Sequence, residues 1–458
     1  MDARVARPTG TIAARRAWRI SGEVVIAVVM VAGAPVFGFW IGHGGLEQFA
    51  TAAGTATAIG QLTALAGAYL ALVQLVFMAR SPWLDRTFGM DHLAAWHRWL
   101  GFATVWLLVA HGVFTTVGFA AADRLSILTE AWAMMTTYPF VLMAVASLGL
   151  FVLVAVSSVR WARRRLTYET WYGLHLYAYL AIALGFAHQL VVGTDFMDDV
   201  LARAYWVGLY AAAVALIVVF RVGQPIATSL RHRLRVANVV TEGPGVVSIY
   251  LTGRDLEALR VDAGQYFQWR FLTRETWWRT HPFSLSAAPN GRWLRITVKA
   301  LGDDTRALGS IPVGTRVFVE GPYGTMTLAR RSRRGVLLIA GGIGIAPLRA
   351  LYEALPPSAG DVALIYRASG QEGAVLRAEL DEIARIRGHR VHYLVGRRGT
   401  SMLAADPLGP EAIARLVPDA AQRDAYLCGP AAMMQRVEEA LARLGVPPAQ
   451  VHAERFAY

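Results

Sequence analysis

Two apolar stretches each carry a histidine near either end, and few folds tolerate that. Trp96 to Gly112 reads WHRWLGFATVWLLVAHG, with His97 and His111; Trp171 to Gln189 reads WYGLHLYAYLAIALGFAHQ, with His175 and His188. Ionisable side chains within membrane-length helices are costly and mark functional positions by default. Fourteen residues separate the first pair, roughly 21 Å of helix and most of a hydrocarbon core about 30 Å thick. Neutral imidazole is a common axial ligand of haem iron. Two such helices running in the same direction would hold two bis-histidine haems at two depths, an electron path across a bilayer. The competing reading of each histidine alone is a hydrogen-bonding residue between helices. Helical phase favours one pair over the other: His111 returns to within about 40° of His97, whereas His188 lies about 140° from His175. The second helix must therefore tilt, bend near Gly185, or meet the two haems from different sides.

The rest of the composition supports a membrane protein. The 458 residues are 55% hydrophobic and carry a net charge of +13. A single lysine, Lys299, stands against 44 arginines, and the arginines flank apolar runs, so the charge is a topology signal and calls for no nucleic acid partner. One cysteine, Cys428, excludes an intramolecular disulfide framework and a multi-cysteine metal site. Arg4, Arg7, Arg15, Arg16 and Arg19 precede the first apolar run; it is too long for a signal-peptide core and reads as an uncleaved first span.

Six spans are predicted, at 22–42, 56–79, 93–119, 138–159, 170–192 and 201–222. Arg80, Arg86, Arg160, Arg163, Arg164, Arg165 and Arg221 fall on one side, against Arg124 and the marginal Arg203 on the other. This asymmetry predicts a multi-pass protein of the cell membrane with both termini in the cytoplasm. Spans three and five then run outward together, with His97 and His175 at the inner level and His111 and His188 at the outer. His43 and His92 read as interfacial, and Trp96, Trp99, Trp171 and Tyr172 as an aromatic belt. Trp106 reads as packing, and Arg98 as a snorkelling cation or a haem-propionate partner.

Beyond Arg221 the segment VGQPI reads as a linker. Residues 230–328 then show short β segments (VVSIYL, YFQWRF, WLRITVKA, TRVFVE) punctuated by Gly and Pro, as in an antiparallel barrel. From Gly335, strands alternate with amphipathic helices, the pattern of a doubly wound α/β sheet. Gly341, Gly342 and Gly344 follow the strand VLLIA and open a helix at Ala346-Pro347, where backbone can approach a pyrophosphate. Cys428-Gly429-Pro430 ends a later strand at the same sheet edge. Arg367 and Arg397-Arg398 end two further strands, where paired hydrogen bonds to an adenosine 2′-phosphate would favour NADPH over NADH.

These ordered motifs resemble the ferric reductase and NADPH oxidase superfamily of transmembrane flavocytochromes b, from about residue 56 to Phe456. The resemblance implies four domains: a cytoplasmic N-terminus at 1–21, a six-helix two-haem bundle at 22–225, an FAD-binding β-barrel at 226–330, and an NAD(P)-binding α/β domain at 331–458. His281-Pro282-Phe283-Ser284 is similar to the flavin signature. Lys299, Gly302 and Thr305 resemble the FAD pyrophosphate segment, and Gly321-Pro322-Tyr323-Gly324 the loop joining the two lobes. The turns at Gly341, Gly342, Gly344, Pro347 and at Cys428, Gly429, Pro430 match the nucleotide motifs. Glu454-Arg455-Phe456 resembles the tail whose aromatic ring covers the flavin, although Ala457 and Tyr458 follow, so Tyr458 competes for that position. Ser284, Cys428 and Phe456 are thereby implied nearest to hydride transfer, Arg367 and Arg397 at the 2′-phosphate, and His97, His111, His175 and His188 as haem ligands.

The implied cofactors are FAD, two haem b and NADPH, with electrons passing to an extracellular acceptor. Glu47, Asp123, Glu130, Asp195, Asp198 and Asp199 outnumber Arg124 on the outer connections. Such a surface repels anionic ferric chelates and leaves dioxygen unaffected. Two alternatives stand beside this one: a subunit feeding a periplasmic reductase partner, and a haem-containing ion conduit or sensor. No span has the arginine series of a voltage sensor, and two discrete histidine depths suit haems better than a continuous proton relay.

Overall fold

The computed structural model describes residues 21–193, 199–357, 361–396 and 406–454. Two compact units form, Ile20–Thr87 with Asp91–Phe220, and Arg221 onward.

In the first unit, α1 (Gly22–Gly42), α2 (Ala52–Met78), α3 (Pro82–Phe88), α4 (Met90–Asp123), α5 (Ile127–Thr137), α6 (Val141–Ser158), α7 (Arg160–Arg163), α8 (Tyr168–Val192) and α9 (Val200–Ile217) follow in order. Side-chain oxygens that accept first-turn amides start several of them. Ser126 Oγ accepts from Thr129 N at 3.2 Å, Thr167 Oγ1 from Thr170 N at 3.2 Å, and Asp199 Oδ1 from Leu201 N at 2.8 Å. Six helices among the described residues are long and apolar enough to cross a membrane. Met30, Val31, Trp106 and Leu142 lie on the exposed surface, where a bilayer would meet them. Polar side chains inside the bundle find aromatic donors: Gln189 Oε1 accepts from Trp206 Nε1 at 2.8 Å and Tyr210 Oη at 3.0 Å.

The short α5 has no counterpart in the predicted spans. The predicted linker at VGQPI is also corrected, because the helical run continues from Val200 to His232. It passes through a π-helical turn, Val218–Gly223, into α10 (Gln224–His232). A π turn relieves the clash between a proline ring and the carbonyl four residues earlier, which is how Pro225 is accommodated in a continuing helix.

The second unit begins with six antiparallel strands, β1 (Arg235–Gly243), β2 (Val246–Thr252), β3 (Tyr266–Phe271), β4 (His281–Ser284), β5 (Leu294–Lys299) and β6 (Val317–Tyr323). They form sheets β1-β2-β5 and β4-β3-β6. Bridges Leu285–Ile296 and Arg235–Arg316 join the sheets at both edges and close the barrel. Its core is Ile249, Leu251, Phe267, Trp269, Phe271, Leu285 and Ile296. Trp269 Nε1 donates to the Phe283 carbonyl at 2.8 Å, tying the barrel core to β4. Between β5 and β6 lies the short helix α11 (Asp303–Ala307).

Next come β7 (Gly335–Gly341), α12 (Ile345–Ala354), β8 (Val362–Ala368), α13 (Arg377–Arg387), β9 (Arg390–Val395), α14 (Pro410–Leu416), β10 (Arg423–Cys428), α15 (Ala431–Arg443) and β11 (Val451–Glu454). The sheet is parallel, in the order β11-β10-β7-β8-β9. The chain leaves β7 toward β8 and β9, then returns to add β10 and β11 on the other side. The order therefore reverses between β7 and β10, and the crevice at their carboxyl ends is where open α/β sheets bind ligands.

Candidate active site

Both glycine turns flank that reversal. Cys428 is in register with Ala340, so the turn at Gly341 and the turn at Gly429 lie side by side. A Cβ on Gly429 would come within 3.1 Å of the Gly341 backbone, and one on Gly344 would strike the Cys428 carbonyl. Glycine is thus required for the turns to nest, and Gly342 adopts φ +55° as well. The nested turns put backbone, free of side chains, at the N-terminus of α12.

The barrel and this helix together line an open cleft, bounded by Pro282, Phe283, Ser284, Thr297 and Lys299 from the barrel side and by Ile343, Ala346 and Pro347 from the nucleotide side. Its walls are mostly apolar. Ser284 is buried, and its Oγ has no hydrogen-bond partner among the described residues; the same holds for His281 Nε2. Buried polar atoms are seldom left unpaired, so a flat, polar-edged ring in this cleft fits what the protein leaves unsatisfied. His281 stacks on Phe283 with centroids 5.8 Å apart and planes 6° from parallel. Burial, aided by the Arg279 charge, pulls the His281 pKa below its ordinary value and favours the neutral ring.

Other predicted positions are arranged less directly. Lys299 is exposed at the end of β5 and reaches the cleft. Gly302 has open space around it. Its amide and that of Leu301 are both held by Thr305 Oγ1, at 3.1 and 2.9 Å. Arg279 pairs with Asp304 beside them. Arg367 donates to the carbonyls of Ala368 and, at 3.0 Å, Leu394. Glu454 ends β11 in register with Cys428, and a Cβ on Gly324 would come within 3.1 Å of its Oε1. Arg397, Phe456 and Tyr458 lie outside the described residues, as do Asp195 and Asp198. Glu130 is buried and adds nothing to the acidity of the outer surface.

In the helical unit, the rings of His97 and His175 face each other with centroids 5.8 Å apart and planes at 71°. Trp171 stacks on His175 at 5.0 Å. His111 Nδ1 donates to the Gly60 carbonyl at 2.9 Å, which fixes its tautomer and leaves the Nε2 lone pair for a metal. The carbonyls of Gln74 and Phe140 lie beside His97 and His188. Nδ1 of His97, His175 and His188 has no partner among the described residues. Four half-buried imidazoles, three of them with an Nδ1 that has no partner among the described residues, fit ligation of haem iron.

Sequence reasoning missed Thr297 and Ile343 in the cleft and the carbonyls beside the histidines, since neither backbone groups nor ordinary core residues leave a pattern in sequence. It also missed Arg295, whose only signal was a charge inside an apolar strand.

A helical membrane unit joined to an antiparallel barrel and a parallel nucleotide sheet, with an apolar cleft between barrel and sheet, defines a flavin- and nicotinamide-dependent electron-transfer oxidoreductase. Residues 63–186 match the model of the ferric reductase like transmembrane component, residues 231–327 that of an FAD-binding domain, and residues 338–439 that of an oxidoreductase NAD-binding domain. The chain thus joins a ferric reductase like transmembrane component to FAD- and NAD-binding domains, the makeup of a multi-pass membrane oxidoreductase. A flavohemoprotein of Pseudomonas aeruginosa is 32% identical over 232 residues, 49% of this chain and 58% of that protein. The ferredoxin reductase component of a 3-ketosteroid-9-alpha-monooxygenase of Mycolicibacterium smegmatis is 30% identical over 236 residues, 49% of this chain and 65% of that protein. The chain therefore spans less than two thirds of the length of these curated relatives. The FAD/NAD binding domain of a nitric oxide dioxygenase from Vibrio cholerae superposes with a TM-score of 0.41 at 25% identity, covering 49% of this chain and 99% of that one.

Cys428 is fully buried in the nucleotide-lobe core, and burial, with the Glu454 charge adding to it, pushes its thiol well up from the ordinary range. Only the thiolate reacts. The native protein is therefore expected to take up no maleimide at pH 8 and to label fully in detergent denaturant; native labelling would contradict the buried placement.

Proposed function

We propose that this chain moves electrons from cytoplasmic NADPH, by way of FAD and two b-type haems, to an acceptor on the outer face of the cell membrane, dioxygen in preference to ferric iron. The facing of His97 and His175 at 5.8 Å carries this reading. Two imidazoles sharing one metal, each nitrogen about 2 Å from it, would set their centroids about 6 Å apart. When bound, FAD accepts a hydride and releases electrons singly to haem iron.

Each group of residues then has a task. His97 with His175 holds the inner haem, and His111 with His188 the outer. Pro282, Phe283 and Ser284 support one side of the flavin, and Lys299, Gly302 and Thr305 lie toward its phosphates. Gly341, Gly342, Gly344, Pro347, Cys428, Gly429 and Pro430 form the crevice for the nicotinamide nucleotide, and Phe456 covers the flavin until that ring displaces it. Arg367 is occupied by strand-end carbonyls, so Arg397 carries more of the discrimination for the 2′-phosphate. Cytoplasmic termini follow from the arginine asymmetry. Dioxygen is the acceptor that exposed acids such as Glu47 and Asp123 do not repel.

A pyridine haemochrome assay on purified protein is expected to give about two haems per flavin, in line with four histidine ligands. His111→Ala should abolish the outer haem and the reduction of external acceptors while nicotinamide still bleaches the flavin; a haem content near zero refutes the reading. Arg397→Ala should erode the NADPH over NADH preference of flavin reduction, and an unchanged preference removes that residue from the 2′-phosphate site. In liposomes, NADPH oxidation should run with oxygen in a superoxide-dismutase-sensitive assay and slowly with anaerobic ferric citrate. The reverse pattern makes ferric iron the acceptor.

A further inference from the structure

Arg295 is 2% exposed in β5 of the barrel, a strand otherwise built for the core. A guanidinium has five N–H donors, and here five acceptor contacts meet them. Nη1 donates to Glu379 Oε1 at 2.7 Å and Tyr250 Oη at 3.2 Å. Nη2 donates to Glu379 Oε2 at 2.9 Å and the Ser286 carbonyl at 2.8 Å, and Nε to Ser286 Oγ at 3.1 Å. Glu379 belongs to α13 of the nucleotide lobe, so this fork joins the two lobes. Arg349 on α12 donates to the same Glu379 carboxylate at 2.8 Å and pairs with Glu353. Glu353 Oε2 in turn accepts the Ala288 amide of the barrel at 2.7 Å.

Both ends of this network lie a few residues in sequence from the cleft walls. On the barrel side, Ser286 and Ala288 lie two and four residues past Ser284, the buried hydroxyl of the cleft wall. On the nucleotide side, Arg349 lies two residues past Pro347, which forms the opposite wall. Burial works against the Glu379 carboxylate, yet the bonds and charges of Arg295 and Arg349 outweigh it and hold its pKa below the usual range. The network therefore stays charged at neutral pH.

We propose that Arg295, Glu379 and Arg349 form a positioning clasp that sets the distance between the nicotinamide and the flavin across the cleft. None of the three lines the cleft; they act through the strand and helix that do. Hydride transfer is steep in distance, and a misplacement of about 1 Å can cost on the order of 100-fold in rate. A bidentate fork to Glu379, on a guanidinium that three further hydrogen bonds anchor within the barrel, fixes separation and angle in a way that apolar packing between lobes does not. The clasp rests on the reading that FAD and nicotinamide meet in this cleft.

The test is anaerobic stopped-flow reduction of the full-length, flavin- and haem-loaded protein by NADPH. Glu379→Gln keeps an acceptor and removes the charge, and Arg295→Lys keeps the charge and removes the fork. In both variants the limiting rate of flavin bleaching should fall by about tenfold or more, with a weaker long-wavelength nicotinamide–flavin charge-transfer band. Half-saturating NADPH should stay within about twofold, and flavin and haem content should not change. A folded variant with full limiting rate and an intact band overturns the clasp, as does a loss confined to half-saturation. Loss of bound flavin in both variants overturns it too, by making the role one of folding. A wild-type flavin that nicotinamide fails to bleach overturns the reading of the cleft itself, an outcome distinct from normal wild-type reduction with unaltered variants.

Discussion

Two imidazoles can face each other inside a membrane only if their helices are held at a fixed separation, and much of the helical unit serves that end. Each histidine helix is braced by the membrane-length helix that precedes it. Along α4, a Cβ at Gly60 of α2 would collide with Thr115, and a Cβ at Gly118 with Thr57, so α2 and α4 approach backbone to backbone. Along α8, Ser147 of α6 donates to the Ala181 carbonyl at 2.7 Å, and Gly185 leaves room for the same serine. Small residues and interhelical hydrogen bonds are the main sources of helix association where lipid removes the hydrophobic drive. Gly60 both admits α4 and offers His111 its carbonyl.

The nucleotide lobe solves a similar problem with other means. Its crevice needs backbone close to a ligand and no side chain in the way. Gly341, Gly344 and Gly429 achieve this by nesting two turns so tightly that even a methyl group is excluded. The central strands β7 and β10 beneath are buried almost throughout, as expected of a parallel sheet covered on two faces. That rigid base is what allows α12 to present Ala346 and Pro347 to the flavin wall while Arg349 and Glu353, on the same helix, bond across to the barrel.

Periodicity and spacing made much of this legible before any coordinates. The four histidines stand out because charge-capable groups are rare in apolar spans, and the βα alternation after Gly335 is strong because its strands are continuous apolar runs. What stayed hidden was set by tertiary context. Pro225 in VGQPI signals a helix end locally, and only a π turn lets the helix pass it. β4 is the motif HPFS itself, too short and too irregular to read as a strand until it pairs with β3. α5 was missed because Ile127, Leu128 and Trp132 face outward while its buried residue is Glu130, the reverse of the pattern that marks a soluble amphipathic helix. Arg295 was passed over because its partner lies 84 residues away, and no local pattern announces a pairing at that range.

The positions assigned to electron carriers and those assigned to choosing substrates are built differently. His97, His111, His175 and His188 sit within helices, Ser284 in a strand, and Lys299 and Gly341 at strand ends. Regular elements hold side chains to within fractions of an ångström, and a path of successive electron steps depends on separations of that precision. The residues proposed for the 2′-phosphate and for covering the flavin fall at the margins in sequence: Arg397 is two residues past the end of β9, and Phe456 two past β11. Segments beyond the regular elements can change without disturbing the core. Under the proposed function, a different nicotinamide or acceptor calls for change in residues beyond the strand ends and on the outer connections, whereas a change at Gly60, Gly344 or Arg295 disturbs the packing on which the proposed carrier positions rest.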